Sequence, residues 1–282
     1  MPSVVDAIRD KMTHVTDAVE AQLQADVIGI FGPIITGVEH RVRAAIESLP
    51  NRRNKAAVVL QTGGGSIEVA ERLVNVIRNY YPEVIFVIPD VALSAGTILA
   101  MSGDAIMMDY FACLGPVDPQ VEREGKLVPA LSYLEQFNRL IQKSMAGTLT
   151  TAELALLSKL DLAELHSFEQ ARELTTDLLV LWLAKYKFKD WTRSTSRNMP
   201  VTQQMREERA REIATALSDH QRWRSHGRGI PMKTLRDELK LKIDDFGATP
   251  ALSKSVKEYF DFVVNCMIKE NFTSFVTSRA FL

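Results

Sequence analysis

The chain has 282 residues, of which 46% are hydrophobic, enough to bury a sizeable core in one large domain with an appendage or in two modest ones. Thirty-four basic and thirty-five acidic residues give a net charge of −1, so no whole-chain field attracts nucleic acid or an anionic membrane. Two widely separated cysteines provide neither metal-ligand spacing nor a disulfide framework, which favours a reducing compartment and predicts a cytoplasmic protein. We expect no membrane span and no secretory leader, because apolar runs are short and the N-terminus lacks a basic start before an apolar stretch.

The first predicted element is an amphipathic helix over residues 3–24. Its apolar residues recur at spacings of four and three, and they are Val4, Ile8, Met12, Val15, Val19 and Leu23. A membrane-surface helix is usually cationic, whereas this one mixes acidic and basic residues on its polar face. We therefore expect residues 1–24 to pack on a core or a partner, with peripheral membrane contact as the alternative.

Residues 25–130 alternate between predicted strands and helices. The strands are "DVIGIFGPII", "KAAVVLQ" and "EVIFVI", and the helices between them are "VEHRVRAAIESL" and "SIEVAERLVNVIRNY". This alternation implies a parallel sheet with right-handed crossovers. The apolar run from Val84 to Ile88 predicts a strand buried on both faces.

Residues 131–282 are predicted to be mainly helical. Helical spacing is found in "LEQFNRLIQKSM", "TAELALLSKL", "FEQARELTTDLLVLWLAKYKF" and "TQQMREERAREIATALSDH". The apolar positions from Leu178 to Trp191 are predicted to be core. We expect this region to complete the core and to serve assembly of a homo-oligomer.

Three consecutive glycines follow the second predicted strand, in "VVLQTGGGSIEVAERL". They free the backbone to turn sharply and to approach a ligand with its N–H groups exposed. A Walker loop is not supported, because Ser66-Ile67 stands where Lys-Ser/Thr is needed, and the G-x-G-x-x-G spacing is also absent. The alternatives are an anion cradle and a tight turn with a structural role only.

A serine follows the third strand, in "PDVALSAGTILAMSGD". The small residues after Ser94 suit a helix packed closely on a sheet, so Ser94 is predicted to lie at a strand-to-helix corner. Its hydroxyl could cap that helix, or it could act as a nucleophile.

Taken together, the two motifs resemble the Clp-type peptidase and crotonase superfold. "TGGGS" is similar to the family's Ser-Pro-Gly-Gly turn, "ALSAGTILAMSGD" to its nucleophile helix, "DVIGIFGPIITGVEHRVRAAIESL" to its first strand and helix, and "GDAIMMDYFACLGPVDPQ" to the segment that follows. The likeness covers about residues 25 to 125 and is closest to the signal peptide peptidase A branch and the serine dehydrogenase proteinases. It implies a Clp/crotonase-like α/β spiral of parallel strands and helices over residues 25–130, with a helical C-terminal region over 131–282.

The resemblance also implies site residues. Ser94 would be the nucleophile, the N–H groups of Gly64 and Ala95 would form an oxyanion hole, and Gly65 would belong to the same substrate-binding turn. Such a site implies hydrolysis of peptide or protein substrates by a serine peptidase.

The general base departs from the Clp pattern. Clp-type peptidases have a histidine about a strand beyond the nucleophile helix, where this chain reads "CLGPVD". Signal peptide peptidases of the A type use a lysine on a helix about fifty residues after the serine, which points to Lys143. Its helix has an apolar face that could desolvate the amine and lower its pKa. The alternatives are Lys126, Lys159 and His226, the last in "RSHGRGIPM", which is similar to a His-Gly segment of the serine dehydrogenase proteinases.

Two other classes of function stay open. A crotonase-type enzyme would use the same cradle for the thioester oxygen of acyl-coenzyme A, and an inactive scaffold would keep the fold for oligomerisation. We expect no cofactor and no metal, because no His/Asp/Glu cluster has ligand spacing. The loop containing His220, Trp223 and His226 is interpreted as a polar loop with a half-buried tryptophan, in preference to a substrate-contacting loop.

Overall fold

The structure, a computed structural model, describes residues 4–117, 120–123, 126–194 and 198–281. The helices are α1 Val4–Leu23, α2 Val38–Glu47, α3 Ile67–Tyr80, α4 Ala95–Met101, α5 Ala130–Met145, α6 Thr151–Leu157, α7 Leu162–Trp182, α8 Gln203–Leu217, α9 His220–Trp223, α10 Met232–Asp237 and α11 Pro250–Glu270. The strands are β1 Asp26–Phe31, β2 Lys55–Gln61, β3 Glu83–Ile88, β4 Val91–Ala92, β5 Ala105–Met108, β6 Cys113–Leu114, β7 Gln120–Arg123, β8 Lys126–Pro129, β9 Ile230–Pro231, β10 Asp244–Asp245 and β11 Phe275–Ser278. A π-helical turn, Leu183–Lys187, continues α7.

The centre of the fold is a six-stranded sheet in the order β10-β5-β3-β2-β1-β11. All neighbours in it are parallel except β11, which pairs antiparallel with β1. Helix α2 connects β1 to β2 and α3 connects β2 to β3, as parallel pairing requires. In β3 every residue after Glu83 is buried, as predicted. The predicted α/β class with a parallel sheet is therefore confirmed.

Helices cover both faces of this sheet. Along β2, Val58 and Leu60 belong to the core under α2, α3 and α4, while Ala57 and Val59 belong to the core under α1 and α11. This division follows from the alternation of side chains along a strand. The predicted apolar face of α1 is buried from Met12 onward, whereas Ile8 is exposed.

A second, three-stranded sheet lies beyond the carboxyl end of the first. Its order is β4-β6-β9, with β4 and β6 parallel and β9 antiparallel to β6. The main chain joins the two sheets at a bridge between Thr62 and Ala92. The C-terminal half of the chain therefore contributes a strand to the sheet that leads into Ser94, with β6 between β9 and β4.

The region beyond residue 131 supplies three strands as well as helices. Strand β9 enters the second sheet, while β10 and β11 form the two edges of the first. The mainly helical pattern predicted for residues 131–282 omits them, because strands of two to four residues are too short to show a period.

Helices α5 and α6 and the first half of α7 form an arm with its own small core. That core contains Ala130, Leu134, Leu165 and Phe168, and it is separate from the two cores of the sheet. The ring of Tyr133 packs edge-on against Phe168 at 5.5 Å between centroids. The arm carries Lys143 and Lys159, two of the predicted candidates for the base.

The edge of the sheet opposite Ser94 holds a buried cluster of charges. Glu20 of α1 and Asp26 of β1 are almost fully buried. Arg53 Nη1 lies 2.8 Å from a Glu20 oxygen and 3.6 Å from Asp26 Oδ1, and Arg279 pairs with the same two carboxylates. The cluster therefore ties α1 and the end of the chain to the first strand.

We predict that Arg53→Met lowers the free energy of unfolding by about 3 kcal/mol, because two buried carboxylates then share the Arg279 guanidinium. Urea denaturation at neutral pH measures this change. Arg9→Met is the control, since Arg9 pairs with Asp6 on the surface and its loss should leave the midpoint unchanged. Equal midpoints for the two variants would contradict the prediction.

Candidate active site

Ser94 lies at the corner between β4 and α4 in a backbone conformation that serine rarely adopts. Its φ is 52° and its ψ is −120°, and a strained conformation of this kind costs about 1–3 kcal/mol. The corner is fixed by neighbouring hydrogen bonds, from Gly96 N–H to Leu93 O at 2.8 Å and from Ile98 N–H to Ser94 O at 3.2 Å. Such strain persists only where the surroundings enforce it, and it is concentrated at functional sites.

The side chain of Ser94 does not cap α4. Ser66, at the start of α3, shows the capping geometry, because its Oγ accepts a hydrogen bond from Val69 N–H at 3.1 Å. Ser94 occupies the equivalent position but makes no such bond. The interpretation of its hydroxyl as a helix cap is therefore wrong. Among the described residues no hydrogen bond uses this half-buried hydroxyl.

The glycine turn approaches Ser94 closely. Gly64 has φ +110°, and a methyl group on it would lie 2.8 Å from Ser94 Cβ and 3.4 Å from Ser94 Oγ. Gly65 has φ +147°, and a methyl group there would lie 2.2 Å from Ile34 O. A methyl group on Gly63 would meet no atom within 4 Å. Only the second and third glycines are thus required by backbone conformation and close contact.

Hydrogen bonds hold the turn against the neighbouring segments. Ile34 N–H donates to Gly64 O at 2.9 Å, and Ser66 N–H donates to Ile34 O at 2.8 Å. On the other side, Thr62 N–H donates to Val91 O at 2.9 Å. The turn is therefore fixed between the loop after β1 and the strand that leads to Ser94.

The N–H groups of the three predicted substrate-binding residues differ in their engagement. Gly64 N–H donates to Thr62 Oγ1 at 3.0 Å. Among the described residues, no hydrogen bond uses the N–H of Gly65 or of Ala95, the first residue of α4. Of the two glycines, Gly65 therefore has the N–H that is available to an oxyanion, and Gly64 has the close approach to Ser94. The hydrogen bond to Thr62 was not predicted from the sequence. The only local signal for it was a threonine directly before the glycines.

Lys143 is paired with an acidic residue of the arm. Its Nζ contacts Glu153 Oε1, which also holds the pKa of the Glu153 carboxyl well down, to about 2. The side chain of Lys143 is about one-third exposed rather than desolvated. No hydrogen bond or ion pair between described residues joins Lys143 to Ser94. The structure thus brings Ser94 and the glycine turn together and places Lys143 in a separate contact.

Of the other two lysines, only Lys159 has a described side chain, and it also lies away from the described contacts of Ser94. Lys159 lines a cavity of about 590 Å³ between α5 and α6, together with Tyr133 and Phe137. Lys126 lies in β8, a strand whose side chains are outside the described part of the structure.

The segment that contains His226 leads into β9, which is separated by β6 from the strand that leads into Ser94. Leu114 of β6 lies opposite both Ala92 of β4 and Ile230 of β9. Because β9 is antiparallel to the other two strands, the residues before Ile230 extend in the same direction as the residues after Ala92. His226 therefore precedes β9 at the end of the small sheet where Ser94 follows β4.

The tryptophan of this loop is more deeply buried than predicted. Trp223 is 5% exposed, and its Nε1 donates to Ala216 O at 2.8 Å. A buried indole with a satisfied N–H anchors the loop to the end of α8. Within the described ranges, no three His, Cys, Asp or Glu side chains come close enough together to hold a metal ion.

A glycine turn and a serine corner at the carboxyl edge of one parallel sheet are the features expected from the resemblance to ClpP-like serine peptidase folds. The chain belongs to the family of ClpP-like SDH-type serine proteinases, whose sequence profile matches residues 6–199. The resemblance inferred from the two motifs is therefore confirmed at the level of the family.

Two curated relatives are the uncharacterized proteins MJ1495 and MJ0137 of Methanocaldococcus jannaschii. Both are 31% identical to this chain. The match to MJ1495 extends over 98 residues, which are 35% of this chain and 32% of the relative. The match to MJ0137 extends over 99 residues, which are 33% of this chain and 34% of the relative. The matched stretch spans only about a third of the length of these relatives.

Two similar solved structures are mutants of the 1510-N membrane-bound stomatin-specific protease. A serine-to-alanine mutant is 20% identical, with a TM-score of 0.32, and the match covers 42% of this chain and 62% of the mutant's chain. A lysine-to-alanine mutant in complex with a substrate peptide is 22% identical, with a TM-score of 0.33, and the match covers 42% of this chain and 59% of the mutant's chain.

We predict that Gly64→Ala lowers kcat by about 100-fold with little change in KM, because the methyl group would displace Ser94 from its position. Steady-state peptide hydrolysis measures both constants. Gly63→Ala is the matched control: it adds the same methyl group one residue earlier, where no atom lies within 4 Å, and should keep wild-type turnover. Equal kinetics for the two variants would indicate a turn with a structural role only.

Proposed function

We propose that this protein hydrolyses peptide bonds with Ser94 as the nucleophile and a backbone oxyanion hole. The observation that carries the proposal is the strained Ser94 corner, whose unengaged hydroxyl lies directly against Gly64. Strain at one serine, with no capping role to explain it, is expected where a nucleophile must be presented to a substrate.

In the proposed mechanism, Ser94 Oγ attacks the carbonyl carbon of the scissile bond while a general base takes the hydroxyl proton. The N–H groups of Gly65 and Ala95 donate to the oxygen that becomes negative, each contributing about 3 kcal/mol. The base returns the proton to the leaving amine, and water then hydrolyses the acyl-enzyme by the same steps. Gly64 serves this site by its lack of a side chain.

Two groups are candidates for the base. The Ser94–Lys143 dyad requires Lys143 to leave Glu153 and the arm to approach Ser94, since a base must be unprotonated and within hydrogen-bond reach. His226 is supported by the direction of β9, since the residues before Ile230 leave the small sheet on the side where Ser94 follows β4. We favour His226 in the described conformation and keep Lys143 as the base of a rearranged one.

A crotonase-type acyl-coenzyme A enzyme is the second candidate function, since it would use the same two N–H groups. It would leave the strain at Ser94 without a role. An inactive scaffold would leave both the strain and the free N–H groups without one.

We also propose that the protein forms homo-oligomers in the cytoplasm and acts on peptide or protein substrates. Large apolar side chains exposed on the arm support self-association; they are Met145, Leu154, Leu156 and Leu162. Free thiols at Cys113 and Cys266 suit a reducing compartment. Among the described helices, none combines the length and the apolar character needed to cross a bilayer. Peripheral contact of α1 with a membrane stays an alternative.

We predict that a fluorophosphonate probe labels the wild-type protein on Ser94 and that Ser94→Ala abolishes labelling and peptide hydrolysis without unfolding the chain. Mass spectrometry of the labelled peptide and circular dichroism of the variant test this. Ser94→Gly should be more stable than Ser94→Ala by about 1 kcal/mol, because glycine adopts φ 52° without strain. Hydrolysis retained by folded Ser94→Ala would refute the peptidase, and thermal stabilisation by coenzyme A of an unlabelled protein would favour the acyl-transfer class.

We predict that Lys143→Arg keeps most of the activity and that His226→Ala loses it. A guanidinium retains the pair with Glu153 but cannot act as a base. With an imidazole base, activity should rise with pH as the imidazole loses its proton, since the neutral form accepts the proton of the serine. Lys159→Arg serves as the control in the arm. Loss of activity in Lys143→Arg with His226→Ala active would establish the lysine dyad instead.

A further inference from the structure

Thr62, the residue before the three glycines, contacts both halves of the proposed oxyanion hole. It is fully buried at the end of β2. Its main chain makes two hydrogen bonds to the segment that leads to Ser94. Thr62 N–H donates to Val91 O at 2.9 Å, and Leu93 N–H donates to Thr62 O at 3.0 Å.

The hydroxyl of Thr62 holds the glycine turn. Its Oγ1 accepts a hydrogen bond from Gly64 N–H at 3.0 Å and lies 3.3 Å from Gly64 O, to which it donates. Gly64 O also accepts from Ile34 N–H. In a trans peptide the C=O of one residue and the N–H of the next point in opposite directions within one plane. Two donors that fix Gly64 O therefore also fix the direction of Gly65 N–H.

The methyl group of Thr62 packs against the start of α4. A Cβ atom on Gly96 would lie 2.3 Å from Thr62 Cγ2, so Gly96 leaves the space that this methyl group occupies. Gly96 directly follows Ala95, the second proposed donor. One side chain thus sets the glycine turn with its hydroxyl and the first turn of α4 with its methyl group.

We propose that Thr62 is the positioning residue that aligns the Gly65 and Ala95 N–H groups toward one oxyanion. This inference rests on the proposed function. Thr62 does not touch the substrate, so its loss should lower stabilisation of the transition state rather than binding of the substrate.

The test compares Thr62→Val, which keeps the shape and removes the hydroxyl, with Thr62→Ser, which keeps the hydroxyl. We expect Thr62→Val to lower kcat and the rate of fluorophosphonate labelling by about 10- to 100-fold, with KM changed by less than about twofold. Thr62→Ser should lose less, about threefold, because it keeps the hydroxyl that holds the glycine turn but loses the methyl group that packs on α4. Thr16→Val is the matched control, because it removes an equally buried hydroxyl from α1, far from the glycine turn in the fold.

Wild-type kinetics in folded Thr62→Val would overturn the inference, as would an equal loss in Thr62→Ser or a loss confined to KM. If Thr62→Val does not fold, Thr62→Ser and Thr62→Ala form a second pair that differs only by the hydroxyl, and equal rates for them would overturn it too. Wild-type protein that resists labelling at Ser94 would refute the proposed function itself. Normal wild-type labelling with an unaffected Thr62→Val would refute only the role of Thr62.

Discussion

The site depends on one close approach, between the backbone of Gly64 and the side chain of Ser94. These residues belong to different crossovers of the sheet, and no side chain fits between them, since even a methyl group on Gly64 would lie 2.8 Å from Ser94 Cβ. Such proximity requires both segments to be held rigidly. The bridge between Thr62 and Ala92 supplies this, because it joins the end of β2 to the strand that leads to Ser94.

The parallel sheet explains why the two turns meet at all. The carboxyl ends of adjacent parallel strands lie at one edge, so the turns after β2 and β3 are neighbours by topology. Burial of these strands on both faces fixes their register, because a slip by one residue would exchange the side chains of the two cores. Packing of the two cores therefore also fixes the positions of the turns at the edge of the sheet. The strained backbone of Ser94 is held by these fixed positions and not by the local sequence.

The sequence predicted the parts of this arrangement that have local patterns. Strands β2 and β3 were predicted with their observed bounds, because each contains a five-residue apolar run flanked by polar residues or proline. The corner at Ser94 and the glycine turn were located for the same reason. The engagement of Gly64 N–H by Thr62 was not predictable, since it depends on a side-chain hydrogen bond within a folded turn. Strands β9, β10 and β11 were missed because two to four residues show no period and their partners are distant in the chain.

The proposed base can be judged by the rigidity of its surroundings as well as by its spacing along the chain. Lys143 belongs to an arm with a core of only a few buried residues, and regions with few buried contacts open at low free-energy cost. Its partly exposed pair with Glu153 adds little to hold it. The segment that contains His226, in contrast, lies between the buried Trp223 and β9, which pairs with β6 of the small sheet. A proton acceptor works best when its distance to the nucleophile is fixed before the substrate arrives. Pairing of β9 and burial of Trp223 support His226 on this criterion, whereas the proposed Lys143 dyad would require the arm to approach Ser94.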